Sequence, residues 1–396
     1  MGVNLIEFKK NDTHFQPGRG RTMANTIRYD SELLPDIKVI GVGGGGCNAV
    51  NRMIRAKIPG VSFVACNTDS QALISSDAST RIRMGDKVTR GLGAGADPTK
   101  GERAAEESRD ELYDLLRGTE MVFVTAGMGG GTGTGAAPVV AEIAKDCGAL
   151  TIGVVTKPFA WEGNRKARLA EEGLIRLREK VDTLIAIPNQ RLLEFCSPTA
   201  GMEEAFEAAD DVLRQAIQSI SNIISANGSI NLDFNDVRTT MSEAGPALLA
   251  VGRGTGENRA ADAARAATNS PLQDQSIEGA RNVLFCVTHG GNLGLRELDS
   301  AARVIAELAD PAVNTIWGTV VDPKLGDEVN ITVIATGFPP RAMQMDDPRE
   351  IHRIRDLGMA GINSHEDADM PAFLRRNIRS MNSVERGAMA KLAERR

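Results

Sequence analysis

Ala126-Gly127-Met128-Gly129-Gly130-Gly131-Thr132-Gly133-Thr134-Gly135-Ala136-Ala137 places six glycines in the nine positions from Gly127 to Gly135. The apolar run Val122 to Val124 precedes it, and a second apolar segment follows. Each glycine inside a helix or strand loses about 1 kcal/mol relative to alanine, so the stretch reads as a loop between the two. Such a loop makes sense when successive backbone N–H groups curl around phosphate oxygens, with the Thr132 and Thr134 hydroxyls in reach. Gly127, Gly129, Gly130, Gly131, Thr132, Gly133 and Thr134 are therefore candidate ligands of a phosphate.

Upstream, Ile37 to Val42 reads as a strand that runs into Gly43-Gly44-Gly45-Gly46, with Cys47-Asn48-Ala49-Val50 opening a helix. Glycines allow close approach of backbone N–H groups to an anion, and a helix N-terminus adds partial positive charge. Taken alone, Gly41-x-Gly43-x-x-Gly46 also fits a dinucleotide fingerprint, with Asp69 23 residues further on as a ribose acceptor. That spacing leaves an NAD-dependent dehydrogenase open. The second glycine stretch argues against it: a single nucleoside triphosphate needs a second cradle, whereas a dinucleotide pyrophosphate does not. A third cluster, Gly91-Leu92-Gly93-Ala94-Gly95-Ala96-Asp97-Pro98, reads either as a surface turn or as a mobile loop closing over the terminal phosphate through Gly93, Ala94 and Gly95. No G-x-x-x-x-G-K-[ST] occurs, so backbone amides, helix dipoles and nucleotide-bound Mg²⁺ must neutralise most of the charge.

Around these loops the chain alternates strand and helix. Strands are expected at Ile37 to Val42, Val61 to Asn67, Met121 to Ala126, Leu150 to Thr156 and Leu184 to Pro188, with helices at Asn48 to Ala56 and Ala137 to Lys145. Short apolar strands separated by helices predict a parallel sheet covered on both faces. From Met202 to Ala226, Phe206, Ala209, Leu213, Ile217, Ile220 and Ile224 recur at three- and four-residue spacing, predicting one long amphipathic helix stopped at Asn227-Gly228. Beyond it, strands at Asn282 to Val287, Thr315 to Val321 and Asn330 to Thr336 and a helix at Leu298 to Leu308 predict a smaller α+β domain. The expected organisation is a loose extension over 1–35, a nucleotide domain over 36–201, the helix over 202–226, the α+β domain over 227–338 and a flexible tail over 339–396.

The 396 residues are 42% hydrophobic and 25% charged, an ordinary globular balance. The five cysteines are scattered without a C-x-x-C pair, which predicts neither a disulfide framework nor a thiolate zinc site and points to the reducing cytosol. No apolar run approaches membrane-spanning length, so no direct membrane insertion is expected. Net charge is −6, with a net +5 from Pro371 to Arg396. An acidic body disfavours nucleic acid as a partner.

Gly129-Gly130-Gly131-Thr132-Gly133-Thr134-Gly135 resembles the tubulin signature, and the flanking sequence from about Ile37 to Phe338 is similar to FtsZ, the prokaryotic tubulin-like cell-division GTPase family. The resemblance implies a tubulin-like fold, in which a Rossmann-like parallel-sheet domain is joined by a long central helix to a smaller α+β domain. It also implies GTP binding and hydrolysis, head-to-tail filaments that form the division ring, and septation at mid-cell in the cytoplasm. By resemblance Asp210 accepts the guanine N1–H and N2–H₂ donors while Phe206, one turn earlier, stacks on the ring. A buried acceptor of this kind rejects a base lacking those donors by about 10⁴-fold. Asn48 and Asn189 are matched as further base contacts, and Glu162 as the ribose ligand. Where the family usually has an arginine four residues after that glutamate, this chain has Lys166, next to Arg165. Lysine keeps the charge and loses the bidentate fork. Cys47 stands where many relatives have a second asparagine and is expected to be buried or semi-buried and inert, with a nucleotide-protected thiol as the alternative.

The resemblance gives Asn231, Asp233 and Asp236 a role that their local sequence does not. Locally, Asp236 is a good N-cap and Asp233 a turn former. In the family, the two acids of Asn231-Leu232-Asp233-Phe234-Asn235-Asp236 enter the nucleotide pocket of the next subunit. The intervening helix puts them roughly 35 Å from the base-binding end, out of reach of their own nucleotide. Hydrolysis is therefore expected only when subunits stack; a scaffold that polymerises with poor hydrolysis is the alternative. Asp369-Met370-Pro371-Ala372-Phe373-Leu374-Arg375-Arg376 resembles the family's tail peptide for membrane-anchoring adaptors, with Asp369, Pro371, Phe373, Leu374 and Arg375 as contacts.

Overall fold

A computed structural model describes residues 35–193, 201–225, 233–269, 277–309 and 313–338. The expectations for Asn231, for the Asn227-Gly228 stop, for Asp369, Pro371, Phe373, Leu374 and Arg375, and for most of the N-terminal extension lie outside these residues. The described residues form ten strands: β1 (Ile37–Val42), β2 (Val61–Asn67), β3 (Thr80–Arg83), β4 (Met121–Gly127), β5 (Leu150–Lys157), β6 (Thr183–Pro188), β7 (Gly245–Gly254), β8 (Asn282–His289), β9 (Asn314–Val321) and β10 (Val329–Thr336). The helices are α1 (Gly43–Arg55), α2 (Ser70–Ile74), α3 (Asp86–Thr89), α4 (Pro98–Glu107), α5 (Arg109–Leu116), α6 (Thr132–Asp146), α7 (Asn164–Arg178), α8 (Asn189–Leu192), α9 (Met202–Ser225), α10 (Phe234–Met241), α11 (Arg259–Thr268) and α12 (Leu295–Leu308).

The strands run in the order β3-β2-β1-β4-β5-β6-β7-β10-β8-β9. All pairs from β3 to β7 are parallel, β10 is antiparallel to both β7 and β8, and β8 pairs parallel with β9. β7 joins the two halves: Gly245, Pro246 and Ala247 pair with β6, and Leu248 to Gly254 pair with β10. β4 and β5 are buried along nearly their whole length. That fits strands covered on both faces, where apolar runs replace alternation.

On one face, Val50 and Met53 of α1, Leu213, Ile217 and Ile220 of α9 and Val237 of α10 pack on Val39, Phe123, Ile152 and Ile185. On the other, α4 to α7 cover Ile40, Val122, Val124 and Val155. The central helix also shares this cluster with Leu284, Cys286 and Ile334 of the antiparallel half, so one apolar core serves both. Each such fully buried side chain contributes about 1.5–3 kcal/mol.

Two readings need correction. The glycine runs are not wholly loop, because α1 starts at Gly43 and α6 at Thr132, each five residues earlier than their apolar patterns predict. Glycine's propensity cost is tolerated there because the backbones lie too close for a side chain. A Cβ on Gly135 would sit 1.9 Å from the Pro98 carbonyl oxygen, and Gly43, at φ +72°, would place one 2.8 Å from Gly133 N. β3, β7, α2 to α5, α7, α8 and α11 form strands and helices that the sequence reading does not announce.

Candidate functional site

The connections that leave the carboxyl ends of β1 and β4 diverge, one towards β2 and one towards β5, while the two strands themselves are neighbours. That is the switch point of a doubly wound sheet, where a crevice opens. Both glycine runs sit there, and a Cβ on Gly45 would lie 3.3 Å from Gly127 Cα. Two helix N-termini, α1 and α6, thus converge with their first-turn N–H groups free for an anion. Gly44 and Gly130 differ from the other glycines of the runs: a Cβ at either would meet no protein atom within 4 Å. Packing within the protein does not require glycine at these two positions.

The threonines have different tasks. The Thr134 hydroxyl is fully buried and accepts the Gly129 N–H at 2.8 Å. It shapes the loop from inside rather than facing a ligand, against the expectation from sequence. Thr132 is partly exposed and its Oγ1 lies 2.6 Å from Thr68 Oγ1.

The third cluster is not a free loop. Gly93 N–H donates to the Thr68 carbonyl, Ser70 N–H to the Gly91 carbonyl, and Asp69 bridges to Leu92. Ala94 is buried, and a Cβ on Gly131 would come within 2.9 Å of Ala94 Cβ, so the loop already rests on the second glycine run. Asp69, the acid a dinucleotide reading needs, caps α2 by accepting the Gln71 N–H at 2.9 Å.

At the mouth of the crevice, Phe159 stacks on Trp161 at 5.4 Å between centroids. Phe206 meets both edge-on, at 5.4 and 5.9 Å. It is 39% exposed and so belongs to a rim rather than to the core of α9. Glu162 is held at both oxygens: Oε1 accepts the Phe159 N–H at 2.9 Å, and Oε2 pairs with Lys166 Nζ at 2.9 Å. Arg165 and Asn48 are exposed. Asn189 is buried, and its Oδ1 has no hydrogen-bond partner among the described residues.

Asp210 pairs with Arg52 of α1, whose Nε donates to Oδ2 at 3.1 Å and whose Nη2 reaches Glu207 at 2.8 Å. Burial pushes the Asp210 carboxyl up to about 6, against the lowering effect of Arg52. Arg52 and Trp161 carry no signal in the sequence; Arg52 meets Asp210 across 158 positions. Cys47 is buried and burial raises its thiol to about 12, so it stays protonated.

Asp233 and Asp236 lie elsewhere. Asp233, not Asp236, caps α10, accepting the Asn235 N–H at 3.2 Å, and both acids are exposed. α10 is fixed at the amino edge of the parallel sheet: Arg238 donates to the Gly148 carbonyl just before β5, and Thr183, first in β6, donates to the Met241 carbonyl. The glycine loops leave the carboxyl edge, a strand length away, roughly 26 Å for eight residues. The acids and the cradle are therefore not brought together within one chain. Among the described residues no cluster of three or more His, Cys, Asp or Glu could hold a metal, and no helix is long and apolar enough to cross a membrane.

Residues 36–197 match the sequence model of the Tubulin/FtsZ family, GTPase domain, and residues 245–339 that of the FtsZ family, C-terminal domain. Among solved structures, FtsZ of M. jannaschii, described as an empty dimer, is 42% identical with a TM-score of 0.75, over 78% of this chain and 89% of that one. A mutant of the same protein gives the same identity and TM-score, with 92% of its chain covered. CetZ2 from Haloferax volcanii, in a GTPγS-bound protofilament, is 21% identical with a TM-score of 0.66, over 82% of this chain and 99% of that one, and shares the fold.

Proposed function

The chain belongs to the Tubulin/FtsZ family of GTPases, and from that premise we propose that it polymerises head-to-tail and hydrolyses GTP at sites completed between subunits. The observation that carries this reading is the separation within one chain: an amide-lined cradle at the carboxyl edge of the sheet, and two exposed acids at the amino edge. Phosphoryl transfer requires in-line positioning and charge stabilisation more than covalent chemistry. Glycine amides supply the second, while Asp233 and Asp236 from a neighbour would orient the attacking water. A contact that joins unlike ends generates an open filament when its rotation does not close into a ring.

In this reading Phe206 stacks on guanine, Asp210 and Asn189 read its edge with Asn48 beside them, and Glu162 holds the ribose with Lys166 and Arg165 adjacent. The glycines from Gly43 to Gly46 and from Gly127 to Gly133 hold the phosphates. The cradle offers amide donors and few carboxylates, which suits a magnesium ion carried on the phosphate oxygens. When bound, that ion would neutralise charge developing between the β- and γ-phosphates. We further propose that the filaments form the division ring at mid-cell in the cytoplasm, and that the 369–376 peptide binds a membrane-anchoring adaptor.

Phosphate release per subunit across a dilution series tests the shared site. Specific activity should rise steeply with concentration for GTP and stay near zero for ATP. Constant specific activity at all concentrations removes the model. A fluorescent fusion that remains diffuse in dividing cells would remove the division-ring reading.

A further inference from the structure

We propose that Arg52 is a positioning residue for base recognition: it holds the Asp210 carboxylate charged and oriented, so that α1 links the phosphate cradle at its start to the base reader near its end. The proposal rests on the reading that Asp210 faces the guanine edge. α1 begins at Gly43, and Arg52 lies nine residues on, roughly 14 Å along the helix axis. There it meets two carboxylates of α9, Asp210 and Glu207, one helical turn apart. The Asp210 side chain is 16% exposed and that of Glu207 58%. A planar guanidinium can bridge two carboxylates with separate N–H groups, which a lysine ammonium does less well.

The geometry leaves the acceptor usable. Arg52 Nε occupies one lone pair of Oδ2, and a carboxylate has about four such sites over its two oxygens. Guanine's two donors can therefore be received while Arg52 stays in place. The charged groups acting on Asp210 are Arg52 from α1 and Glu207 from its own helix. Arg52 favours the ionised form, while burial and Glu207 oppose it. With Arg52 removed, those two effects act alone, and the carboxyl gains a proton at higher pH. A protonated carboxyl turns one acceptor into a donor facing the donors of guanine.

The test uses the full chain below its assembly concentration and measures dissociation constants for GTP, ITP and XTP between about pH 5 and pH 8. ITP lacks the 2-amino donor, and XTP presents an acceptor in its place. In the wild type, GTP affinity is flat at the upper end and falls about tenfold per unit once pH drops below the Asp210 midpoint. R52A moves that midpoint up, so neutral-pH GTP affinity falls about tenfold while ITP loses less. E207Q, on an exposed side chain, moves the midpoint down, because it removes a like charge and frees Arg52 for Asp210. R52K, which keeps the charge, holds the midpoint closer to wild type than R52A does.

D210N tests the underlying reading separately, through a preference that shifts from GTP towards XTP. If D210N leaves that preference unchanged, Asp210 does not read the base and the proposal falls with it. If D210N shifts the preference while R52A and E207Q keep the wild-type midpoint and GTP-to-ITP ratio, the role of Arg52 alone is overturned. A gain in GTP affinity in R52A overturns it as well, since Arg52 would then be blocking the acceptor.

Discussion

The carboxyl edge of the parallel sheet and its amino edge are built on opposite plans. At the carboxyl edge, two glycine-rich helix starts are locked against each other and against α4 by contacts with no room for a Cβ. At the amino edge, Asp233 and Asp236 sit exposed at the start of an eight-residue helix. The first edge is rigidly packed, as a preorganised binding site would be. The second has charge and reach but no pocket of its own. On the proposed reading, binding and turnover are separable: a substitution at one edge should spare the property assigned to the other.

The largest effect is expected where turnover alone is at stake. Asp236→Ala and Asp233→Ala should leave GTP affinity within about twofold and reduce hydrolysis by about 10²–10⁴-fold, the range for a lost general base or water-orienting group. Equilibrium binding measured beside phosphate release checks both halves. Mixing supplies a sharper break: at a GTP concentration too low to fill the Gly44→Ala sites, Asp236→Ala subunits combined with Gly44→Ala subunits should regain turnover, because each kind supplies what the other lacks. A mixture no more active than its components would show that the two edges do not meet.

Within the carboxyl edge, glycines should divide by what surrounds them. Gly135→Ala drives a Cβ into the Pro98 carbonyl oxygen and should cost about 3 kcal/mol or more in stability, seen as a lowered unfolding midpoint. Gly44→Ala meets no protein atom and removes a helix-weakening residue, so the fold should hold or gain about 1 kcal/mol. Its methyl group enters the cradle, and GTP affinity should fall about tenfold or more. If Gly44→Ala binds GTP normally, the open space at that position is not the phosphate site.

This contrast also explains what could be read from the sequence. The strands at the carboxyl edge are continuous apolar runs, the central helix has a clean stripe, and glycine density picks out both glycine-rich helix starts. Those signals are local. β7 was hidden because Pro246 and the glycines at 245, 252 and 254 interrupt its pattern, and its burial follows no alternation. α11 buries Ala260, Ala263, Ala264 and Ala267, a stripe of small residues with little hydropathy contrast. In the site, Arg52, the inward turn of Thr134 and the tied third loop depend on contacts between distant segments, which spacing alone does not encode. The role proposed for Asp233 and Asp236 rests only on family resemblance, since an exposed acid at a helix start has a sufficient local reason to be there.

The aromatic rim should give a smaller response. Phe206→Ala removes a 39%-exposed ring whose protein contacts are the edges of Phe159 and Trp161. GTP affinity should weaken by about 1–3 kcal/mol, with thermal stability nearly unchanged. An unchanged dissociation constant together with a lowered unfolding midpoint would reassign Phe206 to the packing of α9.

The smallest expected effect concerns Lys166, where this chain departs from the arginine usual in the family. The Lys166 side chain is 47% exposed, and an ion pair of that exposure contributes less than about 1 kcal/mol. Yet its partner Glu162 is mostly buried, and the other Glu162 oxygen fixes the backbone of Phe159, so on the proposed reading the pair bears on ribose and rim together. Lys166→Ala should therefore leave stability nearly unchanged and weaken GTP binding a few-fold, more at low salt than at high salt. Lys166→Arg should restore the binding, since a guanidinium reaches the same carboxylate with an additional donor. If Lys166→Ala binds GTP as tightly as wild type at low salt, Glu162 is held by Phe159 alone, and the lysine is only a surface charge.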